Sequence, residues 1–176
     1  MDSTAYNRLL QKNITKTYKK VSPDTTSSIE LGAKEIAKRL DLDDRVNTTT
    51  KRDAFITLKD HKLNFANSPT CRLIDPAKSE IGKISKQILD RINTAITNHL
   101  SLNQWKNTRA VVNWFSGIEH KERYMFIAFD VVDFYSSISV DLLNAALQFT
   151  SSYVNITDEE HHIILHVKKS LLYNTG

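Results

Sequence analysis

The sequence predicts an α+β fold, rich in helix with a few central strands. Three observations carry that expectation. Apolar residues recur at helical spacing along much of the 176-residue chain, most regularly over residues 79–100. Two short β-prone runs, Phe55–Leu58 and Thr70–Ile74, flank a polar turn and read as a hairpin-like pair. A third run, Tyr124–Val132, is apolar apart from Asp130 and rich in β formers, which is the pattern of a buried central strand.

Taken in order, residues 4–20 place Tyr6, Leu9, Leu10, Ile14 and Tyr18 roughly on one helical face. Ser22-Pro23-Asp24 breaks that helix. Ser27 and Glu30 then have capping-box spacing, ahead of Ile29, Ala33, Ile36, Ala37 and Leu40 at helical period. Asp41–Lys51 reads as a polar loop. The hairpin follows, its tip carrying Lys59, Asp60, His61 and Lys62, and Pro76 ends its second strand. In the helix over 79–100, Ile81, Ile84, Ile88, Ile92, Ala95 and Ile96 form one stripe, and Lys83, Lys86, Asp90, Arg91 and Asn93 lie largely off it. Trp105–Phe115 is a further helical stretch. Ser139 or Asp141 caps a helix running to about Phe149, and Thr157 with Glu160 makes another capping box.

Hydrophobic residues make up 40% of the chain and charged residues 25%, an ordinary globular balance. Four Gly and three Pro exclude collagen-like and low-complexity classes. Cys71 is the only cysteine, which excludes an internal disulfide and a Cys-rich zinc site. A lone thiol and a polar N-terminus without an apolar core segment predict an intracellular protein, nuclear or cytoplasmic, with no membrane partner. Charge is unevenly spread. Residues 1–110 hold 20 Lys and Arg against 12 Asp and Glu, a net of +8, whereas residues 111–176 hold 4 against 8, a net of −4. A basic part followed by an acidic part suits polyanion contact in the first and cation binding in the second, or ordinary solvated surface in both.

Two groups of residues could carry chemistry. Asp130 ends the apolar run, and Asp133 follows where the chain turns. A carboxylate leaving a buried strand is costly unless paired or bound to a cation, and together with backbone oxygens it can hold Mg²⁺. The simpler reading is that Asp130 marks the strand end and Asp133 starts a turn. Upstream, Lys59, His61 and Lys62 precede a turn, and Arg72 lies in the strand after it. Point charges from Lys and the bidentate fork of Arg suit a triphosphate or a nucleic-acid backbone, and a solvated basic hairpin would show the same residues.

These segments carry a resemblance. Phe129-Asp130-Val131-Val132-Asp133-Phe134-Tyr135-Ser136-Ser137-Ile138 resembles motif A of reverse transcriptases. The run from Phe55 through Leu58-Lys59-Asp60-His61-Lys62, followed by Pro69-Thr70-Cys71-Arg72-Leu73-Ile74-Asp75-Pro76, resembles their fingers segment. The pair is most similar to Penelope-like retroelements, in which Pro-Lys-x-His-Lys precedes Arg-Pro-Ile-Val and motif A begins Phe-Asp-Val-Val. The chain departs from that pattern at Leu58, where the family has Pro, and at Leu73-Ile74, where it has Pro-Ile. The similarity covers residues 55–140 in matching order.

The resemblance implies a partial right-hand polymerase. Residues 1–50 would be a helical N-terminal extension, 51–115 the fingers, and 116–176 the start of the palm with the motif A strand and two helices. The parent activity would be RNA-directed DNA polymerisation by a transposable element, adding deoxynucleotides to a primer 3′ end by two-metal phosphoryl transfer with Mg²⁺. Asp130 would be the catalytic metal ligand, with the Val131 carbonyl completing one metal shell. Lys59 and Arg72 would clamp the deoxynucleoside triphosphate, Asp133 would line the triphosphate site, and Tyr135 would lie under the incoming sugar. Partners would be an RNA template, a DNA primer and the remainder of the palm and thumb.

A two-metal polymerase also needs a later aromatic-x-Asp-Asp motif. The acids after Asp133 are Asp141, Asp158, Glu159 and Glu160, none in that setting. The chain therefore reads as fingers and the first third of a palm, and by itself is expected not to polymerise. The alternative is a non-enzymatic nucleic-acid-binding module from a decayed or domesticated element. A third reading is a helical protein with accidental similarity. His162 and His166 have i, i+4 spacing but no Cys or HExxH glutamate beside them, so they read as ordinary histidines. Trp105 and Trp114 could stack on bases but read better as core.

Overall fold

Local signals set most of the helix boundaries. A computed structural model describes residues 2–42, 52–102, 104–131, 134–169 and 171–174. These form a helix-rich α+β structure. Helix α1 spans Ser3–Thr17, and the Asp2 carboxylate accepts from the Ala5 N–H at its start. Helix α2, Pro23–Arg39, begins one turn earlier than the Ser27–Glu30 spacing suggests. Ser22 accepts from the Thr25 N–H, and Pro23 occupies the first turn, where its missing N–H costs nothing. The tripeptide expected to break the first helix thus starts the second, and α1 already ends at Thr17.

Strands β1 (Phe55–Leu58) and β2 (Cys71–Ile74) pair antiparallel as a two-stranded sheet, with Phe55 opposite Ile74, Thr57 opposite Arg72 and Leu58 opposite Cys71. Helix α3 spans Glu80–Leu100 and buries Ile81, Ile88, Ile92 and Ile96 of the expected stripe, with Ser85 among them. Ser101, at φ 49°, follows its end in the left-handed region, a position usually given to Gly. Helix α4 is Thr108–Ser116, α5 the short Phe134–Ser137, and α6 Val140–Ser151, capped by Ser139. Helix α7, Asp158–Lys168, carries the full Thr157–Glu160 capping box, with reciprocal bonds of 3.1 Å.

The chain divides into two compact units, Met1–Ile88 with Thr157–Gly176, and Leu89–Ile156. Helices α1 and α2 share a unit with the hairpin, and α7 returns to it from the C-terminal part of the sequence.

In the first unit α2 packs against α7, and Ile36, Ala37, Ile163 and Ile164 are buried. Gly32 permits close approach, since a Cβ there would lie 3.1 Å from His166 Cε1 and 3.3 Å from its Nδ1. Helix α1 packs against β2, and the Tyr6 hydroxyl accepts from the Ile56 N–H at 3.1 Å. The Ala54 N–H donates to the Tyr173 carbonyl at 2.8 Å, beside a parallel bridge between Asp53 and Tyr173.

In the second unit Arg91 Nη1 donates to the Asn155 carbonyl at 3.1 Å, and His99, Phe149 and Tyr153 form a ring cluster. Here two expectations are corrected. Residues 124–131 form no strand and are exposed, with Phe129 at 90% of full exposure. A strand is stabilised by its neighbours, and among the described residues the sheet contains β1 and β2 alone. Trp105 and Trp114 are also not core. Their rings pack at 4.7 Å but stay 47% and 38% exposed. Phe126 lies edge-on to Trp114 at 6.3 Å and 5.2 Å from Phe115.

Candidate functional site

Four of the expected basic residues converge at the loop end of the hairpin. A cavity of about 280 Å³ is lined by Thr57, Leu58, Lys59, His61, Lys62 and Arg72. The strand period explains the meeting. Thr57 stands opposite Arg72 in the antiparallel register, so their side chains share one face. Lys59 lies two residues beyond Thr57, and its N–H donates to the Thr70 carbonyl at 2.9 Å, extending the ladder past β1. Ile56 points to the other face, where it is buried, and the Tyr6 hydroxyl secures its backbone. Beyond that bond the chain turns through Lys59–Lys62, where the Lys62 N–H donates to the Lys59 carbonyl at 3.1 Å, and this brings His61 and Lys62 onto the rim.

The lining holds three permanent cations and one imidazole, and no carboxylate. Asp60 points its carboxylate at His61 Nδ1 from 4.0 Å, with both side chains largely in water. Cys71, opposite Leu58, is half-buried. Burial pushes its thiol up, while the nearby charge of Lys59 pulls the other way. A thiol held protonated is a poor nucleophile. Arg72 offers a fork and the two lysines offer mobile point charges, a set that matches phosphate oxygens.

Lys59 and Arg72, the residues expected to hold a triphosphate, therefore line one cavity within one unit. Sequence spacing alone did not reveal that Thr57 and Leu58 complete the lining. The signal for Thr57 lay in the strand period, once the register with Arg72 is known.

The segment that resembles motif A lies in the second unit. Asp130 is exposed, on the segment that forms no strand, and Val131 beside it is 59% exposed. Asp133 lies outside the described residues, and Tyr135 is described only as backbone in α5. Among the described residues no group of three or more His, Cys, Asp and Glu side chains could hold a metal ion. Asp130 as it stands here does not by itself fit a magnesium centre, which takes several oxygen donors around one ion. Among the described residues no helix is long and apolar enough to cross a membrane. Comparison with protein-family models, with curated proteins and with solved structures returns no match.

Proposed function

We propose that this chain binds the phosphates of nucleic acid, and of a nucleoside triphosphate, on its basic hairpin, as the fingers portion of a reverse transcriptase of retroelement type. The observation that supports this reading is the acid-free cavity shared by Lys59, His61, Lys62 and Arg72. In the complete polymerase these side chains would hold the triphosphate and neutralise charge developing as pyrophosphate leaves. On a bound strand they would neutralise backbone phosphates without reading bases.

Binding of a fluorescent DNA primer on an RNA template, titrated over a range of salt, tests the reading. If three phosphates are neutralised, the log–log slope of affinity against salt is about −2.7. Lys59→Gln and Arg72→Gln should each make that slope shallower by about 1, and weaken binding alike for unrelated sequences. Absence of salt-dependent binding at low ionic strength overturns the proposal.

A non-enzymatic nucleic-acid-binding module is the second reading. The exposed Asp130, without a described cluster of metal-holding side chains, favours it for the chain by itself. Mg²⁺ binding that disappears in Asp130→Asn would favour the polymerase. Templated nucleotide incorporation by the 176-residue chain, abolished by the same substitution, would overturn the expectation that it does not polymerise alone.

A further inference from the structure

The connection from Lys59 to Thr70 is tied by successive turns. The Lys62 N–H donates to the Lys59 carbonyl at 3.1 Å and the Phe65 N–H to the Lys62 carbonyl at 2.9 Å. Asn67 and Ser68 donate backbone N–H groups to the Asn64 carbonyl at 3.2 and 2.9 Å, and the Asn67 side-chain amide reaches Asn64 Oδ1 at 3.2 Å. Between these turns Leu63 stands entirely in water, at 108% of full exposure, while Phe65 is partly covered. A single exposed leucine is ordinary on a protein surface. This one follows Lys62 directly, on a loop whose hydrogen bonds hold it out beside a cluster of cations.

We infer that Leu63 is a wedge, inserted between bases of the nucleic acid whose phosphates occupy the adjacent cavity. The inference rests on the reading proposed above. Apolar side chains on basic surfaces enter base steps in this way, exchanging lost base stacking for apolar contact. The step that yields most easily is a strand end or a junction between duplex and single strand, where stacking is already weakened. Charge complementarity selects the partner: Lys59, Lys62 and Arg72 line one cavity, with Asp60 the one acid on the Lys59–Lys62 turn. Cations sharing one cavity can meet the oxygens of a single phosphate together. A lipid surface is met best by a convex set, and one leucine is a weak anchor in a bilayer, where stable attachment takes more than one signal.

The test uses the full chain and a primer–template carrying 2-aminopurine, a base whose emission rises when it unstacks, at the junction. Binding of the unaltered chain should raise the emission severalfold. Leu63→Ser, at a site with no packing to lose, should keep the affinity and the salt slope but lose the rise. Binding without a rise, or a rise that persists in Leu63→Ser, overturns the wedge and leaves the phosphate site standing. No binding of primer–template at low salt overturns the phosphate site, and the wedge with it. Binding to vesicles of phosphatidylcholine and phosphatidylserine that needs Leu63, with no nucleic-acid binding, overturns both in favour of a lipid surface.

Discussion

The β1–β2 hairpin and the segment 124–131 are the two most β-prone regions of the chain, and they end differently. The hairpin strands have four residues each and pair in full. The other segment is twice as long and more apolar, yet it forms no strand among the described residues. The difference lies in partners. Phe55–Leu58 meets Cys71–Ile74 through a connection from Lys59 to Thr70, and α1 covers β2. Among the described residues the segment 124–131 has no ladder, and Phe126 packs against the rings of Trp114 and Phe115. β-propensity reports how well a side chain fits a pleated, half-covered surface, and without that surface it does not act.

The largest test of this contrast is amide hydrogen exchange. The ladder amides of β1 and β2 should exchange at least about a hundredfold more slowly than those of residues 125–131, because the latter need no opening of structure. Equal protection would mean that the second segment is paired in solution. Mutational cost should divide in the same way. Ile56, 5% exposed, should lose about 2–4 kcal/mol on replacement by Ala. Ile127→Ala should stay within about 0.5 kcal/mol, since the side chain is 68% exposed. Urea unfolding midpoints of the two variants check this, and a matching loss at Ile127 would break the comparison.

A smaller effect should separate the hairpin's anchoring from its pairing. Tyr6→Phe keeps the ring but removes the acceptor for the Ile56 N–H, and should cost about 1 kcal/mol in the same assay. No change would mean that water replaces the hydroxyl without loss.

The smallest effect is set by pH. His166, half-buried against Gly32, is held below the ordinary imidazole range, first by burial and then by the charges of Lys169 and His162. Arg39, 3.4 Å from His162 on the facing helix, adds further positive charge to this side of α7. The unfolded chain therefore binds the proton more readily than the folded one. This contribution to stability is complete above about pH 6.5 and is lost as pH falls from there through the lowered folded value. Unfolding midpoints should drop on acidification through that window, and His166→Gln should flatten the drop. A variant with the same pH profile as the unaltered chain would remove His166 as the cause.

Much of the helical framework was legible because its signals are local. Ser139 and the Thr157–Glu160 pair, both visible as caps in the sequence, bond across three residues, and Asp2 and Asn107, which the sequence pattern did not single out, do the same. The isoleucine period over residues 81–96 named the buried face of α3 before any fold was known. Two local signals competed after Tyr18, and Ser22 with Pro23 started α2 ahead of the Ser27–Glu30 spacing. For the candidate site, the sequence supplied Lys59, His61, Lys62 and Arg72 as a set, because a basic tip between two β-prone runs is visible in one dimension.

By itself, then, the sequence determined the α+β class, most helix ends, the hairpin and the cations at its tip. Those depend on backbone hydrogen bonds and side-chain periods that act within a few residues. Tertiary structure alone decided the register that set Thr57 beside Arg72, the return of α7 to pack on α2, and the exposure of residues 124–131. Each of these depends on which distant segment supplies a partner. A chain's local preferences do not contain that information, because the same apolar run is a buried strand beside a neighbour and an exposed segment without one.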